Sequence, residues 1–334
     1  MPNQSIVKIG ISIGDLNGIG PEVVLRSLSE IEVFGFVPII YGNITLLEKL
    51  QEAFGTKLNM ASSTGQINYT AGTVYVNEVW NEEVQMTYGT IDTNIGKYAF
   101  RSLEAATSAL KQNDIDILIT APIHKASIKS DQFQFAGHTD YLNQQLTGSS
   151  LMMLVSDVIR VGLLTDHVPL DQVSSLISKE LVMEKVRAMH ESLIKDFGIA
   201  RPKIALLGVD PHTGDSGAIG EIDGKILSPT VITLREIGIE VKGPFAADGF
   251  FGSGQHHQFD GILASYHDQG LVPFKLLSFG KGVNFTAGLD KIRVSPDHGT
   301  AFTIAGQGVA STSSFEAAIR LGIDIYQRRK HSQN

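Results

Sequence analysis

The feature that most constrains this chain is a repeated order of short apolar run and helix-length amphipathic stretch. Residues 8–13, 37–41, 73–76 and 115–119 read as strands, and 46–54 and 96–110 read as helices between them. In the latter helix Tyr98, Leu103, Ala106 and Leu110 fall on one face. Strands that are apolar along their whole length suit a parallel sheet covered by helices on both faces. The βαβα order therefore predicts a doubly wound α/β sheet. Further strands are expected at 151–155, 159–164, 204–207 and 261–264, and helices at 181–197 and 229–237. A last helix should open at Ser313-Ser314-Phe315-Glu316, which has the form of a capping box. Near the start, the loop Gly14-Asp15-Leu16-Asn17-Gly18-Ile19-Gly20 leads into Pro21-Glu22, a favourable helix opening. It lacks the third glycine of a dinucleotide fingerprint.

At 334 residues the chain can form two packed domains that share a cleft. No linker composition divides it. The loosest joints are near Ser130-Asp131-Gln132 and Gly280-Lys281-Gly282. These predict a first α/β domain of residues 1–130 plus 282–334 and a second of residues 131–281. A formal charge of −8 argues against nucleic acid or an anionic membrane as partner, because both need a broad positive face. The absence of cysteine excludes disulfides, thiolate metal sites and a cysteine nucleophile. No run reaches transmembrane length and the first residues do not resemble a signal peptide, so a cytoplasmic location is expected.

Chemistry-bearing residues concentrate in Ser265-Tyr266-His267-Asp268-Gln269-Gly270 and on through Lys275, Asn284 and Arg293. An imidazole, a carboxylate, an ammonium, an amide and a guanidinium together suit an anionic small molecule beside a metal. Three histidines share a placement: His167, His212 and His267 each follow an apolar run by a few residues. The carboxyl ends of parallel strands lie along one edge, where ligands of open α/β sheets bind. Any one of these histidines alone would ordinarily be a hydrogen-bonded loop residue; the repeated placement points to a three-imidazole site with an open position. Asp166, Asp210 and Asp268 flank them and could orient the rings or join the coordination. A second pole is Gly137-His138-Thr139, where Thr139 is expected to cap a helix whose N-terminus could face an anion.

Taken in order, these motifs resemble the PdxA family of 4-hydroxythreonine-4-phosphate dehydrogenases. The resemblance rests on Gly14-Asp15 with Gly18-Ile19-Gly20-Pro21-Glu22, Gly137-His138-Thr139, Asp166-His167, Pro211-His212, Gly243-Pro244 with Asp248, Tyr266-His267-Asp268-Gln269-Gly270, Gly282-Val283-Asn284 with Arg293, and Asp297-His298-Gly299-Thr300-Ala301. It implies two αβα domains with a deep cleft, as in isocitrate and isopropylmalate dehydrogenases, and a homodimer whose active sites are shared. It implies NAD and one divalent metal ion per site, zinc, cobalt or magnesium, and a small phosphorylated hydroxy acid as substrate. The implied metal ligands are His167, His212 and His267. The implied substrate contacts are His138, Thr139, Lys275, Asn284 and Arg293. His298, Gly299, Thr300 and Ala301 resemble the cofactor segment of that superfamily, and Asp248 and Asp268 are candidates for the catalytic base. The chain departs from the family pattern at Leu16-Asn17, where Pro-Ala is frequent, and at Asp210-Pro211-His212-Thr213-Gly214-Asp215, where Asn-Pro-His-Ala-Gly-Glu is usual. These departures leave D-threonate or D-erythronate 4-phosphate as an alternative substrate. A phosphotransacetylase-like acyltransferase or metabolite-binding protein on the same fold is the alternative from another class.

Overall fold

A computed structural model describes residues 6–31, 35–63, 69–135 and 137–332. Its strands, in chain order, are β1 (Val7–Ser12), β2 (Phe36–Gly42), β3 (Asn59–Ser62), β4 (Thr73–Glu78), β5 (Ile117–Thr120), β6 (Gly148–Val155), β7 (Arg160–Leu163), β8 (Ile204–Leu207), β9 (Val241–Phe245), β10 (Gly261–Ala264), β11 (Val283–Leu289) and β12 (Ile292–Pro296). Two compact units are present, one of Met1–Thr147 with Lys291–Tyr326 and one of Gly148–Asp290 with Gln327–Asn334.

In the first unit the strands lie in the order β3-β4-β2-β1-β5-β12 and pair in parallel throughout. The centre is mostly apolar, with Ile9, Ile11, Leu118, Ile119 and Val294 buried, as expected of strands covered on both faces. Burying each such side chain contributes about 1.5–3 kcal/mol. Helix Thr93–Gln112 crosses β1 and is anchored by a buried hydroxyl: Ser102 Oγ accepts the N–H of Ile13 (2.9 Å) and donates to the carbonyl of Tyr41 (2.6 Å). That helix starts at Thr93, ahead of the expected Gly96, because Asp92 accepts the N–H of Asn94 (2.8 Å) and so caps it. Asn43 likewise caps helix Ile44–Ala53 by accepting the N–H of Leu46 (2.8 Å).

In the second unit the order is β11-β6-β7-β10-β8-β9. The β11/β6 and β6/β7 pairs are antiparallel; β7/β10, β10/β8 and β8/β9 are parallel. One face is filled by Leu163, Leu207, Phe250, Ala264 and Phe274. A buried ion pair holds this unit's chain end, with Arg329 Nε 2.6 Å from Asp196 Oδ1 and Ser192 Oγ donating to Asp196 Oδ2 (2.7 Å).

Local expectations fail where a special residue decides. Residues 267–278, for which the sequence predicts no helix, form helix His267–Ser278 with Pro273 inside it. An interior proline removes one helical donor and normally argues against a helix; here buried Leu271 and Phe274 supply the packing that outweighs it. The last helix spans Ser313–His331, and Glu316 pairs with Arg320 one turn on (3.3 Å). Among the described residues no helix is long and apolar enough to cross a membrane.

Candidate active site

The three candidate metal ligands belong to the second unit and follow adjacent strands. β10 lies between β7 and β8, so His167, His267 and His212 leave the same edge of one parallel patch. Hydrogen bonds tie the exits of β7 and β10 together: Thr165 Oγ1 donates to the Ser265 carbonyl (2.8 Å) and Leu164 N–H to the Ala264 carbonyl (2.8 Å). The rings of His167 and His267 come within 5.6 Å, centroid to centroid. His267 is the first residue of its helix, and its Nδ1 lies 2.7 Å from Asp268 Oδ1. A carboxylate on Nδ1 fixes the ring and leaves Nε2 as the donor toward an ion, a usual arrangement behind a metal-bound imidazole. Gln269 braces this helix start, accepting the Ser265 N–H (2.7 Å) and donating to the Gly208 carbonyl (2.6 Å).

His212 is carried differently. Residues His212, Thr213, Asp215 and Ser216 all have positive φ (54°, 54°, 43° and 56°), with Gly214 at 78°. Such a left-handed run costs roughly 1–2 kcal/mol for each residue bearing a Cβ. It is held at its entrance by Asp223, whose carboxylate accepts the N–H groups of Val209 (3.0 Å) and Asp210 (2.9 Å). Among the described residues, no group of three His, Cys, Asp or Glu side chains is placed to hold a metal ion. The structure thus brings His167 and His267 together with Asp268 and leaves His212 exposed on its own turn. The imidazole pair with its orienting carboxylate suits a borderline divalent ion such as zinc or cobalt better than magnesium.

Of the remaining residues in this unit, Asp248 is exposed in the short helix Ala247–Gly252, and Asp268 is exposed beside its histidine. Lys275 is exposed on the helix begun by His267. Asn284, on β11, keeps a buried Oδ1 without a protein hydrogen-bond donor.

The first unit gathers a compact anion-binding candidate. Arg293, on β12, is 2% exposed, and both its Nε (3.2 Å) and Nη2 (2.6 Å) donate to Thr120 Oγ1 at the end of β5. Burial pulls its guanidinium pKa down from 12.5 to about 9. His138 stands close enough to feel that charge. Its imidazole is held well below the ordinary histidine value, first by burial and second by Arg293. Although the residue as a whole is half-buried, its Nε2 is buried and lacks a protein partner. Helix His138–Gln145 begins two residues before the position expected: Gly137 is the cap, and Thr139 lies inside the first turn, buried, rather than capping it. The first-turn amides, a buried guanidinium and an unsatisfied imidazole nitrogen together favour an anion.

The segment 298–301 is also in this unit. His298 places Nδ1 3.1 Å from the Gly299 carbonyl and leaves Nε2 buried without a partner, an atom that a ligand can satisfy. Space beside Gly299 is open, with no atom within 4 Å of where a Cβ would stand. Thr300 is buried and its carbonyl accepts the N–H of Ile19 (3.0 Å), while Ala301 has φ 42°. These features fit a polar ligand laid along the segment. Sequence reasoning missed Thr120, whose hydroxyl where an apolar strand ends was the available signal. It also missed Asp15, 1% exposed, whose carboxyl is raised by burial against the opposing pull of the Asn17 N–H. A separate groove of about 510 Å³, lined by Phe100, Lys111, Phe135 and Tyr141, contains none of the candidate residues.

The fold and these donors define an α/β protein with an imidazole pair in one unit and a buried guanidinium near a second imidazole in the other. Comparison with known proteins narrows the class. Residues 36–322 match the model of the family described as pyridoxal phosphate biosynthetic protein PdxA. A protein of Bacteroides thetaiotaomicron named 4-hydroxythreonine-4-phosphate dehydrogenase is 41% identical over 99% of this chain and 92% of its own. A protein of Cupriavidus necator named D-threonate 4-phosphate dehydrogenase is 37% identical over 96% of this chain and 98% of its own. The crystal structure of 4-hydroxythreonine-4-phosphate dehydrogenase from Klebsiella pneumoniae superposes with a TM-score of 0.83 at 29% identity, covering 97% of this chain and 99% of that one. The chain belongs to the PdxA family.

Proposed function

We propose that this protein is an NAD-dependent 4-hydroxythreonine-4-phosphate dehydrogenase. It oxidises 4-phosphohydroxy-L-threonine, with loss of carbon dioxide, to 3-amino-2-oxopropyl phosphate on the route to pyridoxal 5'-phosphate. The observation that carries this reading is the 41% identity, over nearly the whole chain, to the Bacteroides protein of that name. The phosphate is assigned to Arg293, His138 and Thr139 of the first unit; Lys275 and Asn284 are the candidate substrate contacts of the second. His167 and His267 would hold a divalent metal with His212, and Asp268 orients the His267 ring (2.7 Å). A bound divalent ion supplies Lewis acidity that lowers a hydroxyl pKa. Asp248 or Asp268 takes the hydroxyl proton. Both are exposed, so either carboxylate can exchange its proton with solvent. Segment 298–301 would hold NAD, which supplies a hydride acceptor. The working form is a homodimer, in which a second copy contributes to each site, and its setting is the cytoplasm.

The 37% identity to the Cupriavidus protein favours one second reading, D-threonate 4-phosphate as substrate. One assay tests both. NADH formation is followed with the aminated and the non-aminated phosphorylated acid, with and without chelator, for wild type and His212→Ala. The proposal expects chelator-sensitive NADH formation, faster with the aminated acid, and its loss in the variant with folding retained. Full activity of His212→Ala refutes the three-histidine metal assignment; faster turnover of the non-aminated acid transfers the function to the second reading.

A further inference from the structure

The loop after β1 contains a buried asparagine that is bonded to a turn lying against the chain near residues 302–306. Asn17 is fully buried; its N–H donates to Asp15 Oδ1 (3.0 Å), and its carbonyl and side-chain amide engage one turn, residues 87–90. Its Oδ1 accepts the N–H of Thr87 (2.9 Å), its Nδ2 donates to the carbonyl (3.2 Å) and to Oγ1 (3.1 Å) of Thr90, and its own carbonyl accepts the N–H of Gly89 (2.8 Å). The turn is otherwise exposed. A four-residue turn on a surface has little reason to stay in one place, and here a single amide side chain fixes both its ends.

What the turn lies against makes this matter. Gly89 has φ +75°, and a Cβ there would stand 2.9 Å from the Phe302 carbonyl oxygen, so its backbone packs directly on the chain just past Ala301. The Tyr88 ring covers Gly306, where a Cβ would fall 2.4 Å from a ring carbon. On the other side of Asn17, a Cβ on Gly18 would stand 3.0 Å from Thr300, and Ile19 N–H donates to the Thr300 carbonyl (3.0 Å). Asn17 therefore sits between two contacts with the same segment, one through its own loop and one through the turn it holds.

We propose that Asn17 is a positioning residue for the dinucleotide: by clasping the turn 87–90 it holds segment 298–306 in the conformation that binds NAD before the cofactor arrives. Binding then orders little, which is the way preorganisation raises affinity. The proposal rests on the reading that residues 298–301 hold NAD. Leu16-Asn17 stands where the family pattern often has Pro-Ala, and an alanine there could not form this clasp.

The test measures NADH binding by its fluorescence, steady-state kinetics with NAD and the phosphorylated substrate, and thermal unfolding. Asn17→Ala is expected to raise the NADH dissociation constant and the KM for NAD about tenfold, equivalent to about 1.4 kcal/mol. The kcat at saturating NAD and the KM for the phosphorylated substrate should stay within about twofold, a range under 0.5 kcal/mol. Because a buried asparagine can be needed for folding, two exposed positions provide independent variants. Gly89→Ala, which drives a Cβ against Phe302, should weaken NADH binding in the same way. Thr90→Val, which removes one acceptor, should weaken it less, and Thr90→Ser, which keeps the hydroxyl, should restore it. A role confined to stability would lower the unfolding temperature and leave both NAD constants unchanged in the folded fraction. Wild type that binds NADH while Asn17→Ala and Gly89→Ala bind it equally well overturns the inference alone. Wild type that does not bind NADH overturns the dinucleotide reading and the inference with it.

Discussion

Arg293 allows the sharpest quantitative test, because its substitution should separate stability from binding. The fall of its pKa to about 9 means that the folded protein disfavours the charged guanidinium. The sign follows from proton binding: the folded state gives up this proton more readily than the unfolded chain, so the contribution is unfavourable at neutral pH and relieved only as pH rises from about 9 toward 12.5. The interactions that oppose it include two charge-assisted hydrogen bonds to Thr120, about 1.5–3 kcal/mol each. Arg293→Met removes both contributions while filling similar space. The ligand-free variant should therefore be as stable as wild type, or up to about 2 kcal/mol more stable. Inorganic phosphate should then stabilise wild type, by about 2.7 kcal/mol at a hundred times its dissociation constant, and leave the variant unchanged. Urea unfolding followed by circular dichroism, with and without phosphate, reads both quantities. A variant that loses more than about 2 kcal/mol without ligand, yet gains as much as wild type from phosphate, would show that Arg293 is a structural ion and not an anion receptor.

Other consequences follow from single groups. His138, held neutral by burial and by Arg293, makes the folded state bind fewer protons than the unfolded chain below the ordinary value of 6.5; stability should rise with pH up to that value, and His138→Gln should flatten this acid limb in thermal unfolding across the same range. Arg329→Met strands Asp196, 2% exposed, without its cation, and should cost about 3–5 kcal/mol in urea unfolding, whereas replacing both partners by apolar residues should cost much less. Asp268→Asn, which removes the carboxylate from His267 Nδ1, should weaken zinc binding about 10–100-fold by competition with a chromophoric chelator while leaving phosphate stabilisation intact.

The sheets were legible because their strands are apolar on both faces. Residues 8–13, 37–41 and 261–264 announce themselves by composition, and the structure places β1, β2 and β10 there within a residue. What escaped was decided by contacts distant in sequence. β11 and β12 carry Asn284, Thr286 and Arg293, polar residues that break the apolar pattern, yet Thr286 and Arg293 are buried. Helix His267–Ser278 hid behind Pro273. Thr139 looked like a cap, but Gly137 takes that place because a chain entering a helix needs only a suitable backbone there, and no cap hydrogen bond from a side chain is formed. The candidate residues themselves were chosen for their chemistry, which is visible in sequence. Their grouping is a matter of topology, which is not.

The histidines show why. In sequence the three apolar runs come in the order β7, β8, β10, and nothing local says that β10 inserts between the other two. That insertion makes β10, which ends just before His267, the neighbour of both β7 and β8. It brings His167 and His267 to ring contact and hands His212 to a left-handed turn whose cost the residues around Asp223 must offset. Thr213 and Asp215, two of the departures from the family pattern, lie in that turn, and Asp210 stands at its entrance. Asn17, the other kind of departure, holds a turn against segment 298–306. Both sets act on backbone placement next to a candidate ligand. They are therefore expected to shift how tightly metal and cofactor are held, and the choice between aminated and non-aminated substrate must be sought in side chains that face the substrate itself.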